Sequence, residues 1–296
     1  MKLATVKAAG STHFGAVVKD GFVDLSAKFK GKAVDLAGLL AGNLLVEAAR
    51  YAAEAKPDFK LPEVTFLPVN PRLDMRLFAL GWAYKDHQLE TGKEAPQHPN
   101  MFSKHPQSLV GHGQPLVRPQ ISDKYDYEGE IVIVIGKAGR QIPAASAMEH
   151  IAGYSILNDG SIRDFQKHSV TAGKNFDASS AFGPWIVTRD EIPDPKQMVL
   201  TTRLNGQEMQ HSSFGLMAWD LAYLVSYVSI FCRLEPGDAI STGTPGGVGA
   251  RRNPPVWMKA GDVIEIEVSG IGTLRNPIVD EQVASGTARA NSLTTA

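Results

Sequence analysis

Tyr127-Glu128-Gly129-Glu130-Ile131-Val132-Ile133-Val134-Ile135-Gly136 is the stretch on which the fold turns. An unbroken β-branched run closed by glycine predicts a strand over 131–135, and a run without polar alternation suits a strand buried on both faces. Residues i and i+2 of a strand share a face, so Glu128 and Glu130 point the same way. Gly129 between them withholds a side chain where a neighbour can approach closely. Two carboxylates aimed into one space repel each other unless a proton or a cation joins them. A second apolar strand, Tyr154–Leu157, closes on Asn158-Asp159-Gly160. Two buried strands, each with acid at one end, predict a shared site. Glu128, Glu130 and Asp159 together would make a hard-oxygen site for Mg²⁺ or Mn²⁺. Carboxylates merely exposed at strand ends are the other outcome this spacing allows.

Outward from that stretch, the chain reads as many short strands with few long helices. That pattern predicts an α+β, β-rich fold, a mixed roll or barrel rather than a doubly wound sheet. Residues 1–70 form a small leading α+β module. Phe14–Val18 and Phe22–Leu25 flank an Asp20-Gly21 turn as a hairpin, and a helical stretch covers Leu36 to Ala55. A soft boundary falls near Asn70, a catalytic domain spans 71–280, and the small, polar tail 281–296 frays. Within the domain, Leu77–Leu80 is a strand, Tyr84–Thr91 a helix and Gly92–Pro106 a mobile polar loop. Ala144–His150 and Trp219–Phe231 are helices, Ala239–Thr242 is a short strand, and Val263–Val268 pairs with Ile271–Ile278.

Composition narrows the function classes. With 30 basic and 31 acidic residues and no basic run, neither nucleic acid nor an anionic membrane is an expected partner. The apolar stretch Leu216–Cys232 is interrupted by Asp220 and too short to span a bilayer. The N-terminal Met1–Lys7 has no apolar core behind it, so a signal peptide is not expected. The single cysteine, Cys232, excludes an internal disulfide and reads as a buried small hydrophobe. A cytoplasmic setting follows as the default.

Several further residues can carry chemistry. His87 and Glu90, i and i+3 on a helix, could form a dyad in which the carboxylate orients an imidazole base for water, or a plain surface pair. Arg163 and Gln166 share the same spacing and could hold a carboxylate or an oxyanion beside a metal, or pair with Asp164 or Asp177. Lys174 sits in a polar turn, where a solvated lysine is the common outcome. The loop Thr242-Gly243-Thr244-Pro245-Gly246-Gly247-Val248-Gly249 can turn backbone N–H groups toward an anion or serve as a simple hairpin loop. It has neither a Walker lysine nor a dinucleotide fingerprint, and no serine-hydrolase elbow occurs elsewhere.

Taken in order, these pieces resemble the fumarylacetoacetate hydrolase family. The resemblance runs from about Arg72 to Val279. Gly81-Trp82-Ala83-Tyr84-Lys85-Asp86-His87 with Glu90 resembles a family lid segment. Glu128-Gly129-Glu130 resembles its metal motif, Asn158-Asp159 through Arg163-Asp164-Phe165-Gln166 another motif, and Gly173-Lys174 the lysine segment. Leu234-Glu235-Pro236-Gly237-Asp238 with the glycine-rich loop is similar to the family signature. Ala83 stands where asparagine is common. Gly160 and Ile162 replace a bulky residue and an alanine.

The resemblance implies a β-roll core, usually a homodimer, with Glu128, Glu130 and Asp159 as ligands of Mg²⁺ or Mn²⁺. It implies a His87–Glu90 dyad, Lys174 stabilising charge, and a substrate site including Tyr84, Arg163, Gln166, Gly243 and Thr244. Arg252 resembles a recurring arginine that could hold a second carboxylate or brace the Pro254-Pro255 turn. The implied activity is metal-dependent hydrolysis of a carbon–carbon bond in a 2,4-dioxo acid (an acylpyruvate), releasing pyruvate and a carboxylic acid in aromatic or sugar-acid catabolism. Oxaloacetate-type decarboxylation and enol–keto isomerisation or hydration can use the same parts. A non-catalytic metal-binding homologue is the remaining option.

Overall fold

The computed structural model describes residues 1–19, 21–84 and 97–282. His87, Glu90, most of the expected 84–91 helix and the end of the tail lie outside those residues.

The fold is strand-rich α+β, built on a mixed 12-stranded sheet. Along its main path the strands run Phe59–Lys60, Gly21–Asp24, Ser11–Val18, Lys2–Ala8, Ser180–Thr188, Ile151–Asn158, Gly129–Ile135, Ala239–Ser241, Leu77–Gly81 and Asn100–Lys104. A five-stranded sheet comprises Gln207–Ser213, Val199–Leu204, Val263–Val268, Gly272–Asp280 and Leu116–Arg118. A two-stranded ladder joins Tyr125–Asp126 to Ser161–Ile162. The sheets are open, so the barrel half of the sequence expectation does not hold. The large sheet ends in short or polar strands, which blunt its edges without closure.

Every residue of Gly129–Ile135 is buried, and the two faces enter different cores. Ile131, Ile133 and Ile135 pack with Leu200, Ile264, Ile266 and Leu274 from the five-stranded sheet. Val132 and Val134 face the other way, into a core shared with Leu3, Phe14, Leu36, Leu39 and Ala48. The leading segment is therefore stitched to the central strands by packing. It is also joined by hydrogen bonding, because Lys2–Ala8 pairs antiparallel with Ser180–Thr188.

Three local expectations need correction. The helical stretch 36–55 is two helices, Leu36–Ala41 and Leu45–Glu54, separated where Asn43 takes a left-handed φ of 58°. The segment read as a loop over 92–106 contains the strand Asn100–Lys104, paired with Leu77–Gly81. Its exposed Asn100 and Ser103 belong to an edge strand, which shows no apolar alternation to read. Cys232 is half-buried, with its Sγ 2.9 Å from the guanidinium of Arg76. The helix near the C-terminal half is Leu221–Phe231, capped where Asp220 accepts the Tyr223 N–H at 2.7 Å. Among the described residues no helix is long and apolar enough to cross a membrane.

Candidate metal centre

Strand register assembles the site. Gly129 pairs with Asn158 and Glu130 with Leu157. The Asp159 N–H donates to the Glu128 carbonyl at 2.8 Å, so the two strand ends meet. Ligand oxygens of Glu128, Glu130 and Asp159 lie within 4.8 Å of one another, and all three residues are buried. No other trio of acidic, histidine or cysteine side chains among the described residues does this. Glycine is required at two points. A Cβ at Gly129 would meet Thr202 Oγ1 at 2.3 Å, and one at Gly160 would meet the Ser179 carbonyl at 1.7 Å. The close backbone approach at 160 explains why a bulky residue is excluded there.

Cations surround the trio. Lys174, whose polar turn more commonly leaves a lysine solvated, is 2% exposed, and its Nζ donates to Glu128 Oε2 at 2.6 Å and Asp159 Oδ2 at 2.7 Å. Lys104 Nζ stands 2.8 Å from the other Asp159 oxygen. Arg163 lies 2.7 Å from Glu128 Oε1 and 2.7 Å from Asp126 Oδ2, and donates to Gln166 Oε1 at 2.9 Å. It pairs with Asp126 rather than Asp164 or Asp177. Burial pulls the Lys174 ammonium down, but Asp159 and Glu128 outweigh it and the net shift is upward. Burial holds the Lys104 ammonium below its ordinary value despite Asp159.

Charge counting isolates Glu130. Four buried carboxylates, Asp126, Glu128, Glu130 and Asp159, face three cations, Arg163, Lys174 and Lys104. Glu130 has no cation at ion-pair distance among the described residues. Its Oε2 accepts from Ser241 Oγ and from the Gly243 N–H at 3.2 Å, while Oε1 is buried without a hydrogen-bond partner. Burial, then Asp159 and Glu128, push its carboxyl well above the usual carboxylate range. A buried anion in this position calls for a proton or a metal. An orphaned oxygen beside two converging carboxylates fits a divalent cation that prefers oxygen.

The other sequence candidates take definite places. A cavity of about 740 Å³ opens beside the trio, with Glu128, Arg163, Gln166, Lys174 and Thr244 on its wall. Thr244 donates its hydroxyl to the Gly129 carbonyl at 3.0 Å and accepts from Gln210 Nε2 at 2.8 Å. The Gly243 N–H is committed to Glu130. Tyr84 is 1% exposed, packed in the core, and its hydroxyl is pushed up by burial and then by Glu130. Arg252 is spent on bracing. Its Nε contacts the Tyr127 hydroxyl at 3.2 Å, and its Nη2 donates to the Met209 carbonyl at 2.5 Å. Arg251, not Arg252, lines the cavity.

Sequence reasoning missed Asp126, Lys104, Gln210 and Ser241. Asp126 had a signal, because it extends the Glu128/Glu130 spacing by one step. It is fully buried, and besides holding Arg163 it accepts the Gly249 N–H at 2.8 Å and the Ala250 N–H at 3.0 Å. Burial lifts its carboxyl and Arg163 opposes the lift. Removing one partner of a buried pair strands the other, so Asp126→Ala is expected to cost about 3–5 kcal/mol in urea unfolding. A change within about 0.5 kcal/mol, as at an ordinary surface position, would remove this role.

Known proteins can be set beside this geometry. The family profile described as "Fumarylacetoacetate (FAA) hydrolase C-terminal" matches residues 76–279. Oxaloacetate tautomerase YisK of Bacillus subtilis is 37% identical over 252 residues, covering 80% of this chain and 83% of that protein. The mitochondrial oxaloacetate tautomerase fahd2 of Xenopus laevis is 39% identical over 208 residues, 69% of this chain but 65% of the relative's own length. Among solved structures, a putative HpcE protein from Mycobacterium smegmatis superposes with a TM-score of 0.83 at 32% identity, covering 95% of this chain and 100% of that one. Maleylpyruvate hydrolase from Sphingobium sp. SYK-6, solved with manganese(II) and pyruvate, gives 0.79 at 25% identity, covering 95% and 100%. With the family profile spanning most of its length and the carboxylate trio in place, this chain belongs to the fumarylacetoacetate hydrolase family, whose members are enzymes.

Proposed function

We propose that the protein is a metal-dependent keto–enol tautomerase of oxaloacetate-type 2-oxo acids. The observation that carries this reading is the cation-ringed carboxylate trio, which reaches a cavity wall through Glu128, in a chain whose similarity to YisK covers 80% of its length. Glu128, Glu130 and Asp159 would hold Mg²⁺ or Mn²⁺, which when bound supplies Lewis acidity toward the 2-oxo oxygen.

The protein's own residues do the rest. Lys174 places a fixed positive charge where an enolate oxygen develops. Its upward-shifted ammonium suits a hydrogen-bond donor better than a base. Arg163, locked by Asp126 and Glu128, orients the Gln166 amide at the wall and adds positive potential for an anionic substrate. The proton at C3 needs a base, and His87 with Glu90 is the sequence's candidate. Gly243 and Thr244 support Glu130 and Gly129, with Thr244 also facing the cavity, Tyr84 packs in the adjoining core, and Arg252 braces the glycine-rich loop.

Carbon–carbon hydrolysis of an acylpyruvate is the second reading. The likeness to maleylpyruvate hydrolase supports it, as does a His87–Glu90 pair able to activate water. One assay separates them. Purified protein receives enol-oxaloacetate and acetylpyruvate, with and without chelator, while enol absorbance, pyruvate and CO₂ are followed. Chelator-sensitive loss of the enol band without pyruvate release is the expected result. Pyruvate with a carboxylic acid from acetylpyruvate would transfer the assignment to hydrolysis, and CO₂ from oxaloacetate to decarboxylation. No metal-dependent change on any substrate would overturn metal catalysis here. A homodimer working in the cytoplasm belongs to the same reading, and light scattering tests the dimer.

A further inference from the structure

We infer that Lys104 is a positioning residue that couples Asp159 to Lys174. Its side chain is fully buried, yet it is absent from the cavity wall that Lys174 helps to form. It does not reach substrate. The Lys104 Nζ donates two hydrogen bonds, to Ser180 Oγ at 2.8 Å and to the backbone carbonyl of Lys174, and stands at ion-pair distance, 2.8 Å, from Asp159 Oδ1. Asp159 is thereby gripped by one lysine on each oxygen, Lys104 on Oδ1 and Lys174 on Oδ2. The same Lys104 ammonium pins the main chain from which Lys174 projects.

Neighbouring contacts reinforce this clamp. Asn175 Nδ2 donates to the Ser103 carbonyl at 3.1 Å, and the His105 N–H donates to Asn175 Oδ1 at 2.6 Å. The end of the Asn100–Lys104 strand thus holds residues 174 and 175 from both sides. Lys174 ends a helix of only five residues, too short to fix its own last turn. A buried cation is a poor way to gain stability, since an apolar residue of similar volume often serves as well. Its use here makes sense as geometry: the carboxylate and the ammonium that must cooperate are referenced to one atom. The inference rests on the proposed use of Lys174 and Asp159 in the reaction.

The test is Lys104→Met, which keeps length and removes the two hydrogen bonds and the ion pair. At saturating manganese, kcat is expected to fall on the order of 10–100-fold with KM nearly unchanged, the range found when outer-sphere partners of a metal site are lost. Lys104→Met added to Lys174→Ala should cost little beyond Lys174→Ala alone. Hydrogen exchange over residues 170–175 should accelerate in the metal-free protein. A folded Lys104→Met enzyme with wild-type kcat, or losses that multiply in the double variant, would overturn the inference. Should Lys104→Met fail to fold, Asn175→Ala decides: a lower kcat at unchanged KM upholds the clamp, and an unchanged kcat removes it. Inactivity of the wild type toward every 2-oxo acid would instead strike the proposed function. The exchange measurement would still judge the clamp.

Discussion

Lys174→Ala should lower turnover by roughly 10²–10³, equivalent to about 3–4 kcal/mol, with little change in KM. Of the two buried lysines among the described residues, Lys174 is the one that lines the cavity, and it touches two of the three carboxylates at 2.6 and 2.7 Å. Its charge has little value for a neutral ketone and much for a developing enolate or tetrahedral oxyanion, so the loss belongs in kcat. The experiment is a steady-state comparison at saturating manganese, with the thermal midpoint recorded to show that the variant is folded. Near-normal turnover would eliminate the role. The same loss is expected whether the reaction is tautomerisation or hydrolysis, since both develop negative oxygen beside the site.

Glu130→Gln should show opposite signs in stability and activity. Glu130 is the one carboxylate of the four with no cation at ion-pair distance among the described residues, and its Oε1 is buried without a hydrogen-bond partner. Replacing a carboxyl that must take up a proton or a metal to be buried with an isosteric amide removes that requirement, so the metal-free variant should be no less stable than the metal-free wild type. The amide is a much weaker ligand for a hard cation. Wild type with manganese at 100 times its dissociation constant should gain about 2.7 kcal/mol of stability, and the variant should gain little. Activity should fall on the order of 10³ or more, reflecting several kcal/mol of lost metal assistance. Differential scanning with and without manganese reads the first effect, and the enol assay reads the second. An undiminished manganese-dependent shift in Glu130→Gln would exclude Glu130 as a ligand.

The trio was legible because burial on both faces leaves a plain mark, an unbroken β-branched run, and because acids at strand ends stand out against it. The split of Ile131, Ile133 and Ile135 from Val132 and Val134 into two cores is what that run encodes. Lys174 was harder. Its local sequence is that of a polar turn, and only the carboxylates brought by distant strands explain its burial. Lys104 carried no signal, since an edge strand such as Asn100–Lys104 has no alternation to betray it. For Arg252 the resemblance left a carboxylate contact and a bracing role both open; its guanidinium contacts the Gly247 and Met209 carbonyls and the Tyr127 hydroxyl, while adjacent Arg251 lines the cavity.

The pairing of Lys2–Ala8 with Ser180–Thr188, and the packing of Leu36, Leu39 and Ala48 against Val132, Val134 and Leu157, mean that the first seventy or so residues are not a detachable appendage. A fragment trimmed to the family-matching span would present a raw sheet edge and a greasy wall directly behind Glu130 and Asp159. Such a fragment should clump rather than fold. Anyone seeking a minimal catalytic piece of this protein should therefore keep its first seventy or so residues.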